Sequence, residues 1–219
     1  MGTFSATASS SSTIGYAQYG SSSWSTGSSS GACQGAYHGT TAAKSRVGVM
    51  VFSGAGAALK GKLIQSITLT ITCSGAGSGS SSKKLTFCQA NYQSLNTGVR
   101  GSAQVGATMG TLTGKFYSNT VTHTLNASTN AALFAAMKAY FETGNSVLVL
   151  YNGETSSSSG YSSNYARVTS CTISVTYIDA VVWYRDGGTW RQCTVWYRLN
   201  GVWIQVVPYY NSGGAWVRV

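Results

Sequence analysis

The chain has 219 residues, of which 43% are hydrophobic and only 8% charged, with 27 glycines and a single proline. That length holds one sandwich-sized domain with a small appendage, and that composition excludes the charge-rich kind of chain that stays disordered. The net charge of +10, from 14 Lys and Arg against 4 Asp and Glu, favours anionic partners, but Lys83-Lys84 is the longest basic run and no nucleic-acid motif is present, which excludes specific nucleic-acid recognition.

The opening Met1-Gly2-Thr3-Phe4-Ser5 has neither a basic nor an apolar signal region, so no secretory signal is expected. No run reaches the roughly 18 apolar residues of a membrane span, so no membrane insertion is expected. Ala6 stands where a myristoylation pattern calls for Ser or Thr. Residues 1–32 read as a Ser-rich extended arm punctuated by Ile14, Tyr16, Tyr19 and Trp24, which lies along a neighbouring subunit or becomes the first strand of the body. Gly27-Ser28-Ser29-Ser30-Gly31 matches a nucleophile elbow only formally, because neither strand nor helix signals flank it.

Residues 33–178 read as the body. Arg46–Phe52 is an apolar strand broken by Gly54-Ala55-Gly56. Leu63–Cys73 alternates Leu63, Gln65, Ile67, Leu69, Ile71 and Cys73 against Ile64, Ser66, Thr68, Thr70 and Thr72, the period of a half-buried strand. Lys84–Tyr92 sets Leu85, Phe87 and Gln89 against Thr86, Cys88 and Ala90, and shorter strands are expected at Thr108–Leu112 and Thr120–Leu125. One helix is expected over Ala131–Thr143, with cap candidates in Asn126–Asn130, an apolar side of Leu133, Phe134, Met137, Tyr140 and Phe141, and Gly144 as its stop. Asn145–Tyr151 and Ala166–Ile178 close the set. Strands joined by hairpin-length and longer Gly/Ser loops, with one short helix, predict an all-β fold: an antiparallel β-sandwich or jelly roll.

Residues 179–219 form the tail, in which one pattern is written three times at constant spacing: Trp-Tyr-Arg-Asp-Gly-Gly-Thr-Trp from Trp183, Trp-Tyr-Arg-Leu-Asn-Gly-Val-Trp from Trp196, and Tyr-Tyr-Asn-Ser-Gly-Gly-Ala-Trp from Tyr209. Gly-Gly and Asn-Gly between aromatic and β-branched runs are two-residue hairpin signals, so turns are expected at 187/188, 200/201 and 213/214. Everything between successive turns, 189–199 and 202–212, then forms the strands of a small β-meander. In that register Trp183, Arg185, Trp190, Gln192, Trp196, Arg198, Trp203, Gln205, Tyr209, Asn211, Trp216 and Arg218 share one face, and the other is largely aliphatic. Arg185 falls opposite Trp190 and Arg198 opposite Trp203, a spacing suited to stacking guanidinium on indole. Those twelve are the candidate ligand-binding residues, because aromatic planes beside amide and guanidinium donors suit sugar rings. The alternative is that the tryptophans fill an interface with the body or with a second copy.

The order RVGVMVF, LKGKLIQSITLTIT, a helix ahead of NSVLVLY, and SCTISVTY resembles the jelly-roll domains of surface and phage tail proteins, similar to carbohydrate-binding modules and the DNRLRE class. The Gly-Gly-x-Trp hairpins resemble the ends of phage tail and minor structural proteins. These resemblances imply a virion component, assembled in the host cytoplasm and exposed after lysis, with other virion proteins, host-surface glycan and further copies of itself, commonly as a trimer, for partners. The alternatives are a capsid decoration or tail protein without a receptor role, and a carbohydrate-binding module of a bacterial surface protein.

Catalysis is not expected. The acids Glu142, Glu154, Asp179 and Asp186 stand in four different settings and suggest no glycosidase pair, and His38 and His123 are isolated. The same scarcity of ligands argues against calcium and zinc, so no cofactor and no metal is expected. Cys33, Cys73, Cys88, Cys171 and Cys193 are an odd set without ligand spacing and read as free thiols in strands.

Overall fold

The computed structural model describes all residues except 27–30, 39–42, 76–81, 156–159, 180–181, 194–195, 200–201, 206–208, 213–214 and 219, and in the tail it describes chiefly the backbone pairing. The body runs β1 (Gly2–Ala8), β2 (Ile14–Gln18), β3 (Trp24–Thr26), β4 (Ala32–His38), β5 (Ala43–Val51), α1 (Ala55–Leu59), β6 (Lys62–Ser74), β7 (Lys83–Ala90), α2 (Gly101–Gln104), β8 (Val105–Gly114), β9 (Thr120–Leu125), α3 (Ala131–Glu142), β10 (Val147–Leu150), β11 (Gly160–Tyr161) and β12 (Ala166–Asp179). The tail adds β13 (Val182–Asp186), β14 (Thr189–Cys193), β15 (Trp196–Leu199), β16 (Val202–Gln205), β17 (Tyr209–Ser212) and β18 (Ala215–Arg218).

The body is an antiparallel sandwich whose two layers are joined through one strand. β12 is the axis of the first layer: β6 pairs along one edge from Arg167/Ser74 to Asp179/Lys62, β1 along the other from Cys171/Ala8 to Tyr177/Gly2, and β9 adds onto β6. The second layer runs β8, β7, β10, β5, β2, β3. β4 belongs to both. Its residues 32–34 pair with β12, and residues 35–38 pair with β5. The bend falls at Gly35, whose φ of +85° is readily reached only without a Cβ. Of the two readings of the N-terminal residues, strand formation holds: β1 lies on β12 and β2 on β5.

The core fills the space between the layers. Ile67, Leu69 and Ile71 of β6 and Ile173 and Val175 of β12 join Leu85, Phe87, Leu148, Leu150 and Met50 of the second layer in one buried cluster. The alternation expected in β6 holds from Ile67 to Cys73 but slips before it: Ile64 is buried and Gln65 exposed. The cause is a register shift between Thr176/Ser66 and Tyr177/Ile64, which leaves Gln65 as an extra residue and reverses the faces beyond it. β7 keeps its expected alternation: Leu85 and Phe87 face the core, while Cys88 and Ala90 turn to a second buried cluster with Val47, Val49, Val147 and Val149 on the outer side of the second layer. The register shift at Phe87/Cys88 is taken up in β8, where Met109 is the extra residue. Both faces of this layer are therefore covered.

α3 forms where expected and buries the expected residues, Leu133, Phe134, Met137, Tyr140 and Phe141, against β8, β6 and β9. That placement closes the side on which the edge strands β8 and β9 lie. Its start uses a turn rather than a side-chain cap on the helix: Asn126 Oδ1 accepts the backbone N–H groups of Ser128 and Thr129, and Asn130 sits in the left-handed region. Gly144, φ +98°, ends it. Two further helical turns form, α1 and α2, the first starting inside the Gly54-Ala55-Gly56 stretch read from sequence as a break.

In the tail, the pairs within each hairpin follow the expected register: Arg185 opposite Trp190, Arg198 opposite Trp203, Asn211 opposite Trp216. Gly187 and Gly188 have φ of +54° and +87°, both positive as a type I′ turn requires. The described pairing makes three two-stranded sheets, and residues 194–195 and 206–208 of the expected turn-to-turn strands lie outside the described residues. The turns at 200/201 and 213/214 lie outside the described residues.

Candidate functional site

Two surfaces are candidates, one of them expected from the sequence. The first is the tail. Opposed residues and their neighbours two positions along share a face of a ribbon, so Trp183, Arg185, Trp190 and Gln192 share one face of the first hairpin. Trp196, Arg198, Trp203 and Gln205 share the matching face of the second, and Tyr209, Asn211, Trp216 and Arg218 that of the third. Each face repeats an aromatic opposite a polar residue, followed by Arg or Asn opposite Trp. Arg198 is exposed. The other eleven side chains lie outside the described residues.

The second surface is on the body, around the bend of β4. Tyr37 of β4 and Tyr161 of β11 are 36% and 39% exposed, and their rings approach to 4.8 Å between centroids. Tyr161 in turn packs at 4.4 Å on Tyr165, which is buried. Tyr165 shares a small cluster with Cys33, against which Tyr16 of β2 packs, and the Arg46 guanidinium lies 4.9 Å over the Tyr16 ring. Arg167 hydrogen bonds with Tyr165 and Cys33, contacts that help keep its charge, while burial pushes the Tyr165 phenol and the Cys33 thiol up in pKa and holds both neutral. β4 and β5 set Lys44 opposite Tyr37. Apart from Tyr165, which lies between β11 and β12, these residues come from five strands, and together they span most of the body, from Tyr16 to Arg167. The signal that could have found them is the placing of tyrosines inside Gly/Ser-rich stretches, where no core claims a ring.

The outer face of the first layer is of another kind. Thr3, Ser5 and Thr7 of β1, Ser170, Thr172, Ser174 and Thr176 of β12, Ser66, Thr68, Thr70 and Thr72 of β6, and Thr120, Thr122 and Thr124 of β9 occupy it. Their hydroxyls bond across the strands, as in Thr7 with Thr172 at 2.7 Å, Ser66 with Thr176 at 2.6 Å and Thr72 with Thr120 at 3.0 Å. A face of Ser and Thr hydroxyls, several of them partnered across strands, supports the sheet and offers no charge for acid–base work.

The described carboxylates are tied to the scaffold. Glu142 accepts from the Ile64 backbone N–H at 2.8 Å and pairs with Lys138; Glu154 accepts from the backbone and side chain of Asn164; Asp179 pairs with Lys62. His123 packs on Phe116, and burial lowers its pKa. Cys33, Cys73, Cys88 and Cys171 are buried thiols, as read from sequence; Asp186, His38 and Cys193 have side chains outside the described residues. Among the described residues no group of three or more His, Cys, Asp or Glu could hold a metal ion, and no helix is long and apolar enough to cross a membrane. No protein-family model matches the chain, and no curated protein matches it.

Proposed function

We propose that the chain is a non-enzymatic structural protein of a bacteriophage particle, a tail or head fibre subunit whose C-terminal hairpins contact glycan on the host surface. The observation that carries this reading is the threefold repeat of one ribbon face, Trp or Tyr with Arg or Asn and a second Trp, held in the same register each time. Repetition suits a repetitive ligand: weak contacts to successive sugar units add through effective concentration. Trp and Arg are also the residues that dominate binding hot spots. The body supplies a rigid base, with its terminal strands β1 and β12 paired from Gly2/Tyr177 to Ala8/Cys171.

Replacing Trp190 and Trp203 by Ala tests it. The assay is pull-down by purified bacterial cell walls stripped of acidic polymers, so that the net charge of +10 cannot carry binding alone. Binding is expected to fall at least about tenfold with the oligomer size unchanged. Loss of folding or of assembly instead would assign the rings to packing and favour a particle protein without a receptor role.

A further inference from the structure

We propose that the tyrosine–arginine cluster at the bend of β4 is a second binding site, for a sugar ring carrying a negative charge. The proposal shares with the preceding reading only the class of ligand, glycan, and uses no residue of the hairpins. Tyr37 and Tyr161 are two of the five large exposed hydrophobic residues among those described, and they are in contact with each other. An aromatic pair left open to water, backed by the buried Tyr165, is a rigid platform whose faces suit the C–H side of a pyranose and whose hydroxyls suit its rim.

The charge of the ligand follows from what surrounds the rings. Arg46, Arg167 and Lys44 bring three cations to the cluster, and the ion pairs among the described residues, Lys62 with Asp179 and Lys138 with Glu142, both lie elsewhere. Glu154, whose carbonyl accepts from Ser45 beside Arg46, has its carboxylate turned to Asn164. Guanidinium groups match a carboxylate or phosphate in bidentate geometry, and stacking on an aromatic ring holds Arg46 in place for it. Ring platform and cations together select a ligand that is at once cyclic and anionic.

The test is calorimetry on the full chain with three probes: tetragalacturonate, its neutral methyl ester, and a glycerol phosphate oligomer, which is anionic but has no sugar ring. Tetragalacturonate is expected to bind, with each of the other two at least about tenfold weaker. Tyr161→Ala, Tyr37→Ala and Arg46→Gln are each expected to weaken tetragalacturonate at least about tenfold with circular dichroism unchanged. The Trp190→Ala/Trp203→Ala chain is expected to bind it like the parent, which separates failure of this site from failure of the hairpin reading. No binding of tetragalacturonate, equal binding of either control probe, or undiminished binding by well-folded Tyr37→Ala and Tyr161→Ala would overturn the proposal.

Discussion

Gly35 shows how much of this architecture hangs on single positions. It holds a φ of +85° where β4 passes from one layer to the other, and a Cβ there would come within 2.7 Å of both Ser162 Oγ and Tyr165 Cα. Gly35→Ala is expected to cost about 1–3 kcal/mol from the backbone conformation alone, with the clash adding to it, in urea unfolding; an unchanged midpoint would show that the bend does not need glycine. The buried thiols make a second prediction at this scale. Burial pushes Cys73 and Cys171 from the ordinary 9.0 up to about 12. A raised folded pKa means that this contribution to stability is complete below pH 9 and is lost as pH rises towards 12, because the unfolded chain ionises first. Each such thiol gives a slope of about 1.4 kcal/mol per pH unit in that window, and Cys171→Ala should remove one such slope from the alkaline branch. Burial lowers the pKa of Lys83, so its effect has the opposite sign: stability rises as pH approaches 10.5. Neither feature was legible in the sequence, since the atoms that crowd Gly35 belong to Ser162 and Tyr165, far along the chain, and burial of a cysteine is decided by the other layer.

At the scale of elements, the sequence was most informative where period and packing agree. β6, β12 and α3 lie where their apolar periods put them because one face of each meets the core. The period misled at Gln65, where a bulge adds a residue that no local signal marks. Both layers' edges depend on α3, and Tyr140 ties it to the second layer: its hydroxyl accepts from the Ala90 backbone N–H at 3.1 Å and donates to the Val147 carbonyl at 2.8 Å. Tyr140→Phe leaves those buried groups unpaired and should cost about 1–3 kcal/mol; an equal melting temperature would show that α3 is held by its apolar side alone. In the tail, Gly-Gly and Asn-Gly set the register correctly because turn geometry is local. Pairing between hairpins is not local, and the described pairing is confined to three two-stranded sheets.

For the whole molecule, the pairing of β1 with β12 brings the first residues beside the last strand of the body, so the body closes on itself ahead of the tail. The composition announced a β protein, but not that the Ser-rich N-terminal residues would enter both layers, because Ser and Thr at alternate positions look the same in an arm and on the outer face of a sheet. The tyrosine–arginine cluster was hidden for a related reason: its members are gathered only when β4 bends and β11 and β12 come to lie beside it. The central claim is that the body is self-sufficient and the hairpins bind. It is tested most directly by comparing the full chain with residues 1–180, using light scattering after size exclusion and pull-down by bacterial cell walls stripped of acidic polymers. The expected result is an unchanged oligomer and lost wall binding on removal of the hairpins. Collapse of the oligomer, or wall binding that survives the truncation, would contradict it.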